Sequence, residues 1–288
     1  MTKSAATTAL RAQLFRTFED PTYRPPPLPL VALELSALAS RDDVDVTQVV
    51  RLLERDQMLA GAVMRLAGSP IYAGRGVART LTDAVARLGI RTVRDSVFEV
   101  ALKKTVYVAT AYSDLMQRIG RHGTATAYLA RIVCRHARVV EEQAFLGALL
   151  HDIGFAALLL AMVRKNEQPP SIVELWPAVD AMHEQASKAV TKLWGLSPEL
   201  SLVVGNHHHE HTGTSVRVAA AVNIADFLSE RFDAHIVGPP DENGVPLAAC
   251  AISPASVEDS RSLLGLGVDA LDRIAAEATP ILHEVLRD

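Results

Sequence analysis

The sequence predicts an all-α protein, and three observations carry that reading. Apolar residues recur at three- and four-residue spacing along most of the chain, the mark of helices with one buried face. Ala, Leu and Arg, all good helix formers, recur throughout. Extended β-branched runs bounded by turns are scarce. Hydrophobic residues make up 49% of the 288 positions and aromatics only 5%, so the core is expected to be aliphatic. That length allows one large domain or two modest ones.

Taken in order, residues 4–18 read as a short amphipathic helix that stops at "EDPTYRPPPLPL". Pro21, Pro25, Pro26, Pro27 and Pro29 cannot continue a helix, so this stretch is expected to be an extended, rigid lead-in to the next helix. Short helices follow to about Val106, with apolar sets Val31, Leu33, Leu35, Leu38, then Val49, Val50, Leu52, Leu53, then Leu59, Val63, Leu66. "SRDDVDVTQ" supplies capping residues and "GSPIYAGRG" a loop; Thr82 is a candidate cap, and Gly89 divides two helices. From about Ala111 to Arg231 the helices lengthen, with His122 expected to open one of them and His151–Asp152 to lie on the next. "DAHIVGPPDENGVPLAACAISPAS" is a loop rich in breakers. The chain closes in helical segments from about Val257 to Leu286, whose apolar residues Leu264, Val268, Leu271, Ile274, Ile281 and Leu282 suggest packing on the body.

Charge and composition narrow the function classes. A net charge of −4 gives no bulk electrostatic reason to expect a nucleic-acid partner. Cys134 and Cys250 make no disulfide framework and suit a reducing cytoplasm. The N-terminus lacks the apolar core of a signal peptide, and no segment reads as an uninterrupted membrane span, the apolar run before His151 being cut by His–Asp. A cytoplasmic location with no membrane partner is expected.

Histidine is the informative residue type. Eight of the ten fall between His122 and His211. Singly, His122, His183 and Asp226 read as hydrogen-bonded core residues, "NHHHEH" as a solvated helix end, and His136 as a helix-face residue outside any site. Together they point elsewhere. "GALLHDIGFAALLL" (147–160) puts His151–Asp152 in a run that otherwise wants burial, with no Lys or Arg within three residues. A buried bare carboxylate costs several kcal/mol unless paired. His122, His151, Asp152, His183, His207, His208 and Asp226 supply five imidazoles and two carboxylates. That suffices for a two-metal site in a bundle core, with Asp152 bridging. So imidazole-rich a set suits Fe, Mn, Zn or Ni better than Ca or Mg. A fossil site, its histidines bonded to one another, is the alternative without metal. His209, Glu210 and His211 are weaker ligand candidates than His207 and His208.

Longer motifs resemble a known family. "LPLVALELSALASRDDVDVTQVVRLLERDQMLAGAVMRLAGSPIYAG", "TLTDAVARLGIRTVRDSVFEVAL", "GALLHDIGFAALL", "HEQASKAVTKLWGLSPELSLVVGNHH" and "NIADFLSE" resemble the HDOD domain in order and spacing. The resemblance covers roughly residues 25–232 and implies a multi-helix HDOD/HD-type bundle, with 25–107 as an N-terminal helical half and 108–232 as the HD-like metal-binding half. Residues 1–24 are then a helix and connector, and 233–288 a loop and helices packing on the body. HDOD domains are similar to the HD superfamily of metal-dependent phosphohydrolases, HD-GYP cyclic-di-GMP phosphodiesterases in particular; most have lost some metal ligands and serve as signalling or regulatory modules. Carried over one at a time, the HD-GYP ligands fall on His122, His151, Asp152, His183, His207, His208 and Asp226, all present. The resemblance thus implies one or two divalent transition-metal ions, Fe or Mn ahead of Zn or Ni, with Asp152 as the residue on which any catalysis would turn.

Departures from the HD-GYP pattern point away from turnover. Phe155 stands where "HDIGK" has its phosphate-binding Lys, Arg118 replaces a Glu one turn before His122, and the "GYP" loop is absent. Loss of a cationic phosphate contact removes transition-state stabilisation; Arg118 or Arg121 are candidate replacements. A regulatory metal-binding module is therefore expected first and a metal-dependent phosphohydrolase acting on a nucleotide or cyclic dinucleotide second. No receiver, GGDEF or DNA-binding domain is fused in the sequence, so a separate signalling protein or a nucleotide effector is the expected partner, through the N-terminal helix or the loop from Asp233 to Ser256.

Overall fold

The apolar spacing is realised as helices. The computed structural model describes residues 3–287 apart from 42, 73–76, 109–110, 141, 166–167, 206, 209–215, 241–242 and 248–251. Among the described residues all regular structure is helical, with one isolated antiparallel bridge between Pro240 and Pro246. Cys250, His209, Glu210 and His211 lie outside the described residues. The chain forms two compact units, Pro27–Val106 and the remainder.

The smaller unit holds five helices. In chain order, after α1 (Lys3–Glu19, in the larger unit), they are α2 (Leu30–Ala39), α3 (Val46–Leu53), α4 (Gln57–Gly68), α5 (Leu81–Leu88) and α6 (Ile90–Thr105). Val31, Leu35, Val49, Leu53, Leu59 and Val63 are buried, and their apolar neighbours Leu33, Leu38, Val50, Leu52 and Leu66 half-buried. Asp45 and Gln48 close a capping box at the start of α3. Thr82 is not a cap. Thr80 caps α5, its hydroxyl accepting from the Asp83 amide while the Asp83 carboxylate accepts from the Thr80 amide; the reciprocal pair satisfies two otherwise orphaned donors and fixes the start two residues earlier. Gly89 divides α5 from α6 at φ 76°.

The larger unit is built around α7 (Ser113–Ala137), followed by α8 (Ala144–Leu150), α9 (Ile153–Lys165), α10 (Ile172–Leu193), α11 (Pro198–Val204), α12 (Val216–Ser229), a 3₁₀ turn (Glu230–Phe232), α13 (Pro254–Leu264) and α14 (Ala270–Val285). α7 packs on α8, α12 and α14, α9 packs on α10, and α1 lies against α10. The proline-rich lead-in is anchored rather than free: the Trp194 indole N–H donates to the Pro26 carbonyl at 2.9 Å. His122 does not open α7 but lies in its middle. The flanking glycines are contact points, not breaks: a Cβ at Gly120 would lie 2.8 Å from the Tyr107 ring, and one at Gly123 would lie 2.9 Å from the Leu149 carbonyl of α8.

His136 ties α7 to α14 with Arg135, both bonded to the Glu277 carboxylate at 2.8 and 2.5 Å. Cys134 is buried. Ile274 and Leu282 of α14 are buried, whereas Val268, in the turn before that helix, is 81% exposed. The expectation that no segment reaches membrane-span length needs one correction. Ala144–Arg164 is long and apolar enough despite its His–Asp pair, and 89% of its apolar 18-residue stretch is buried inside the fold, as befits a central core element.

Candidate metal centre

Seven side chains from five places in the chain converge in the larger unit: His122 on α7, His151 and Asp152 between α8 and α9, His183 on α10, His207 and His208 just past α11, and Asp226 on α12. The His–Asp doublet sits at a junction, not within one helix as the sequence suggests. Just past the junction, Gly154 lets α9 pack closely on α10. Its amide donates to the Ser187 hydroxyl of α10 at 2.8 Å, and a Cβ there would lie 1.9 Å from the His183 carbonyl. α9 can approach α10 this closely only at glycine, and the turn that brings it there aims Asp152 inward.

Asp152 is the hub. Its Oδ2 lies 3.4 Å from the Nε2 atoms of both His122 and His151, and its Oδ1 lies 3.5 and 3.3 Å from the Nε2 atoms of His183 and His207. Asp226 faces the first pair, with oxygens 3.3 Å from His122 Nε2 and 3.7 Å from His151 Nε2. One ligand atom from each of Asp152, His183, His207 and His208 falls within a mutual 4.8 Å, as does one from each of His122, His151 and Asp152. Two donor sets thus share one carboxylate, one oxygen facing each.

The tautomers are fixed from behind. Nδ1–H of His151, His183 and His207 donates to the carbonyl three residues earlier in its own turn, Ala148, Asp180 and Val204, at 2.6, 2.6 and 2.7 Å. His122 Nδ1–H donates to the Ala234 carbonyl at 2.9 Å. With each proton held at Nδ1, each Nε2 presents a lone pair to the centre, the arrangement expected of imidazole ligands. His122 Nε2 and His151 Nε2 face each other at 3.0 Å, while Asp152 Oδ1, His183 Nε2 and His207 Nε2 are buried without a hydrogen-bond partner. Lone pairs crowded this way repel unless a cation or a proton lies between them.

Electrostatics divide the donors between ligand and protonated forms. Burial, reinforced by neighbouring imidazoles, pushes His151 down to about 3 and His208 down to about 2, so neither ring readily takes a second proton. Burial alone would raise Asp152, but His151 and the other imidazoles gathered around it hold its carboxyl well below the usual range. Burial pushes Asp226 up to about 6. His122 and His207 lose basicity to burial but gain more from the Asp152 carboxylate, and end raised.

Supporting residues escaped the sequence reading. Buried Asn223 of α12 donates to the His207 carbonyl at 2.9 Å and receives the Ser260 hydroxyl at 3.0 Å, and Glu184 accepts from the His208 amide at 3.1 Å. Phe155, 2% exposed, is stacked between Trp176 and His183, with ring centroids 5.4 and 4.4 Å away. A cavity of about 270 Å³ opens onto the centre, and His235 and Glu230 line it beside Asp152, His183 and Asp226. The only signal for His235 was its place in the loop just beyond the helix carrying Asp226. Arg118 and Arg121 do not reach this cavity. Both are exposed on α7, and Arg121 donates to the Leu286 carbonyl at 2.7 Å.

An all-helical bundle that buries an imidazole–carboxylate cluster fit for a metal ion is the class that this fold and site define. The chain belongs to the HDOD domain family, whose model matches residues 26–210. A Shewanella amazonensis SB2B protein provisionally named a metal-dependent phosphohydrolase superposes with a TM-score of 0.69 at 18% identity, covering 95% of this chain and 99% of its own. An HDOD domain protein of unknown function from Geobacter sulfurreducens gives 0.68 at 20% identity, covering 97% of each. A protein from Marinobacter aquaeolei VT8, provisionally named for signal transduction, gives 0.62 at 22% identity over 97% of this chain and 65% of that one. These likenesses establish the fold. An uncharacterised Treponema pallidum (strain Nichols) protein is 20% identical over 215 residues, 70% of this chain and 40% of that relative's length.

Proposed function

We propose that the chain is a regulatory HDOD module whose larger unit holds one or two divalent transition-metal ions, Fe or Mn first, bridged by Asp152. The supporting observation is the fixed tautomer set: four imidazoles anchored through Nδ1–H, their Nε2 lone pairs converging on the two oxygens of one carboxylate. A fossil cluster held by its own hydrogen bonds would need second protons, at Nε2, on rings whose first proton the backbone carbonyls hold at Nδ1, and burial opposes that most at His151. His122, His151, Asp152 and Asp226 would hold one ion; Asp152, His183, His207 and His208 the other.

The regulatory reading is favoured over a catalytic one by the cavity wall. Among its described lining residues there is no Lys or Arg, and Phe155 fills the position of the phosphate-binding Lys. The loop after α12 also supports it. That loop lines the cavity with Ile236 and Leu247 and holds His122 through the Ala234 carbonyl, so what fills the cavity bears directly on a surface segment open to a partner. A phosphohydrolase is the second reading, because the cavity gives a ligand access to Asp152 and Asp226. A bound divalent ion would supply an acidic water and a clamp for phosphoryl oxygens.

The test is Mn(II) titration of metal-free protein followed by thermal melting. Binding at a hundredfold excess over Kd stabilises by about 2.7 kcal/mol, so a clear upward shift in Tm is expected for the natural protein and none for Asp152→Ala. Equal shifts in both would place the metal elsewhere. Hydrolysis of bis(4-nitrophenyl) phosphate by the same loaded sample, lost in Asp152→Ala, would replace the regulatory reading with the second.

A further inference from the structure

The cavity over the donor set has two unlike walls. One is ionic: Asp152, His183, His208, Asp226, Glu230 and His235. The other is apolar, with Phe155 and Phe227 on the helices and Ile236, Leu247 and Ile252 on the segment that leaves α12 and returns to α13. His235 differs from the four anchored imidazoles of the donor set. Among the described residues it belongs to neither set, no backbone carbonyl holds it, and its Nδ1 is buried without a hydrogen-bond partner. A buried, unpaired imidazole nitrogen beside a solvent-reachable cavity is costly unless a ligand completes it.

Charge sets the ligand's sign. Asp152, Asp226 and Glu230 bring three carboxylates to the cavity, and no Lys or Arg is among its described lining residues. Two divalent cations would turn the net charge of these groups from negative to positive, so an anion is favoured only once the ions are in place. Volume sets its size. A cavity of about 270 Å³ falls below the ~300–1,000 Å³ usual for drug-sized ligands. A cyclic dinucleotide, with two bases, two sugars and two phosphates, cannot be enclosed there.

From this we infer that His235 is a ligand-recognition residue, and that the cavity takes a small oxyanion carrying a short apolar group, with its acidic end toward the metal centre and His235 and its apolar body under Ile236 and Leu247. The inference rests on the metal-centre reading above and narrows its effector to a compact acid of the phosphonate or phosphate-ester type. His235 takes up on the loop side the polar contact that Phe155 gives up on α9. Phe155 itself, locked between Trp176 and His183, keeps that wall apolar and stiff.

The experiment uses the full chain loaded with Mn(II), its metal content measured on each sample, and propylphosphonate as the probe in isothermal titration calorimetry. The natural protein is expected to bind propylphosphonate when loaded and not when metal-free. His235→Ala should keep the full metal content and bind the probe roughly ten-fold more weakly, the loss of one good hydrogen bond. His235→Gln, which keeps a donor, should recover part of that loss. Cyclic di-GMP should not displace the probe. If loaded natural protein ignores propylphosphonate, if His235→Ala binds it undiminished, or if cyclic di-GMP displaces it, the inference is overturned while the metal centre stands. Failure of the protein to take up metal at all would overturn both.

Discussion

Gly154→Ala adds one methyl group where α9 touches α10. The new Cβ would lie 1.9 Å from the His183 carbonyl and 2.7 Å from the Ser187 amide, both backbone atoms with little freedom to move. Restoring an ordinary 3.4 Å contact requires the two helices to part by about 1.5 Å. Overpacking of this kind costs about 1–3 kcal/mol. The local consequence is larger, because Asp152 and His183 sit at either side of the contact and are 3.5 Å apart across the second donor set. Metal–ligand distances tolerate only about ±0.2 Å, so a shift several times larger should empty that set. Melting of metal-free protein should therefore show a modest fall in Tm for Gly154→Ala, and elemental analysis of loaded protein a loss of metal relative to the natural chain. An unchanged Tm together with unchanged metal content would refute the argument that glycine is required for this approach.

Further expectations concern the donor sets. His122→Ala and His183→Ala should each lose one set's ion and keep the other's, whereas Asp152→Ala should lose both; competition against a chromogenic chelator measures the number of ions held. Metal uptake should weaken as pH falls through about 6. In the metal-free fold Asp226 titrates at about 6, above its ordinary value, and His122 and His207 are raised as well, so below that range the ion must displace protons to bind. Affinity measured at pH 7.5 and 5.5 should differ in that direction, with proton release detectable in weakly buffered solution; equal affinity would contradict the ligand roles of these groups. Phe155→Ala should cost about 3–5 kcal/mol as a buried aromatic deletion and loosen His183, lowering metal occupancy as well as Tm; a drop in Tm alone would mean that the ring stack does not position His183.

Much of this was legible in the chain because helix periodicity and the resemblance of ordered motifs do not depend on fine packing. Val31, Leu35, Val49 and Leu53 are buried where their spacing places them, and the seven candidate ligands meet around Asp152. Two of the misreadings involve glycine, which has two uses. His122 read as opening a helix, yet it lies inside α7 between Gly120 and Gly123, which are points of close contact. Gly154, unremarked beside the His–Asp pair, is where α9 closes on α10 next to that pair. His235 was hidden for a different reason. It lies in a loop without periodicity, and only the folded path over the cavity brings it back to the site. Asn223 and Glu184 act on backbone groups of His207 and His208, a role that no side-chain pattern reveals.

The most direct test is the metal content of the natural chain purified without an affinity tag, measured by plasma mass spectrometry as isolated and again after anaerobic reconstitution with Fe(II) or Mn(II). Converging Nε2 lone pairs around a two-faced carboxylate predict at least one tightly held transition-metal ion per chain, approaching roughly two on reconstitution. Less than about half an equivalent in both samples would mean that the imidazoles share protons among themselves, and the proposal of a metal centre would fall.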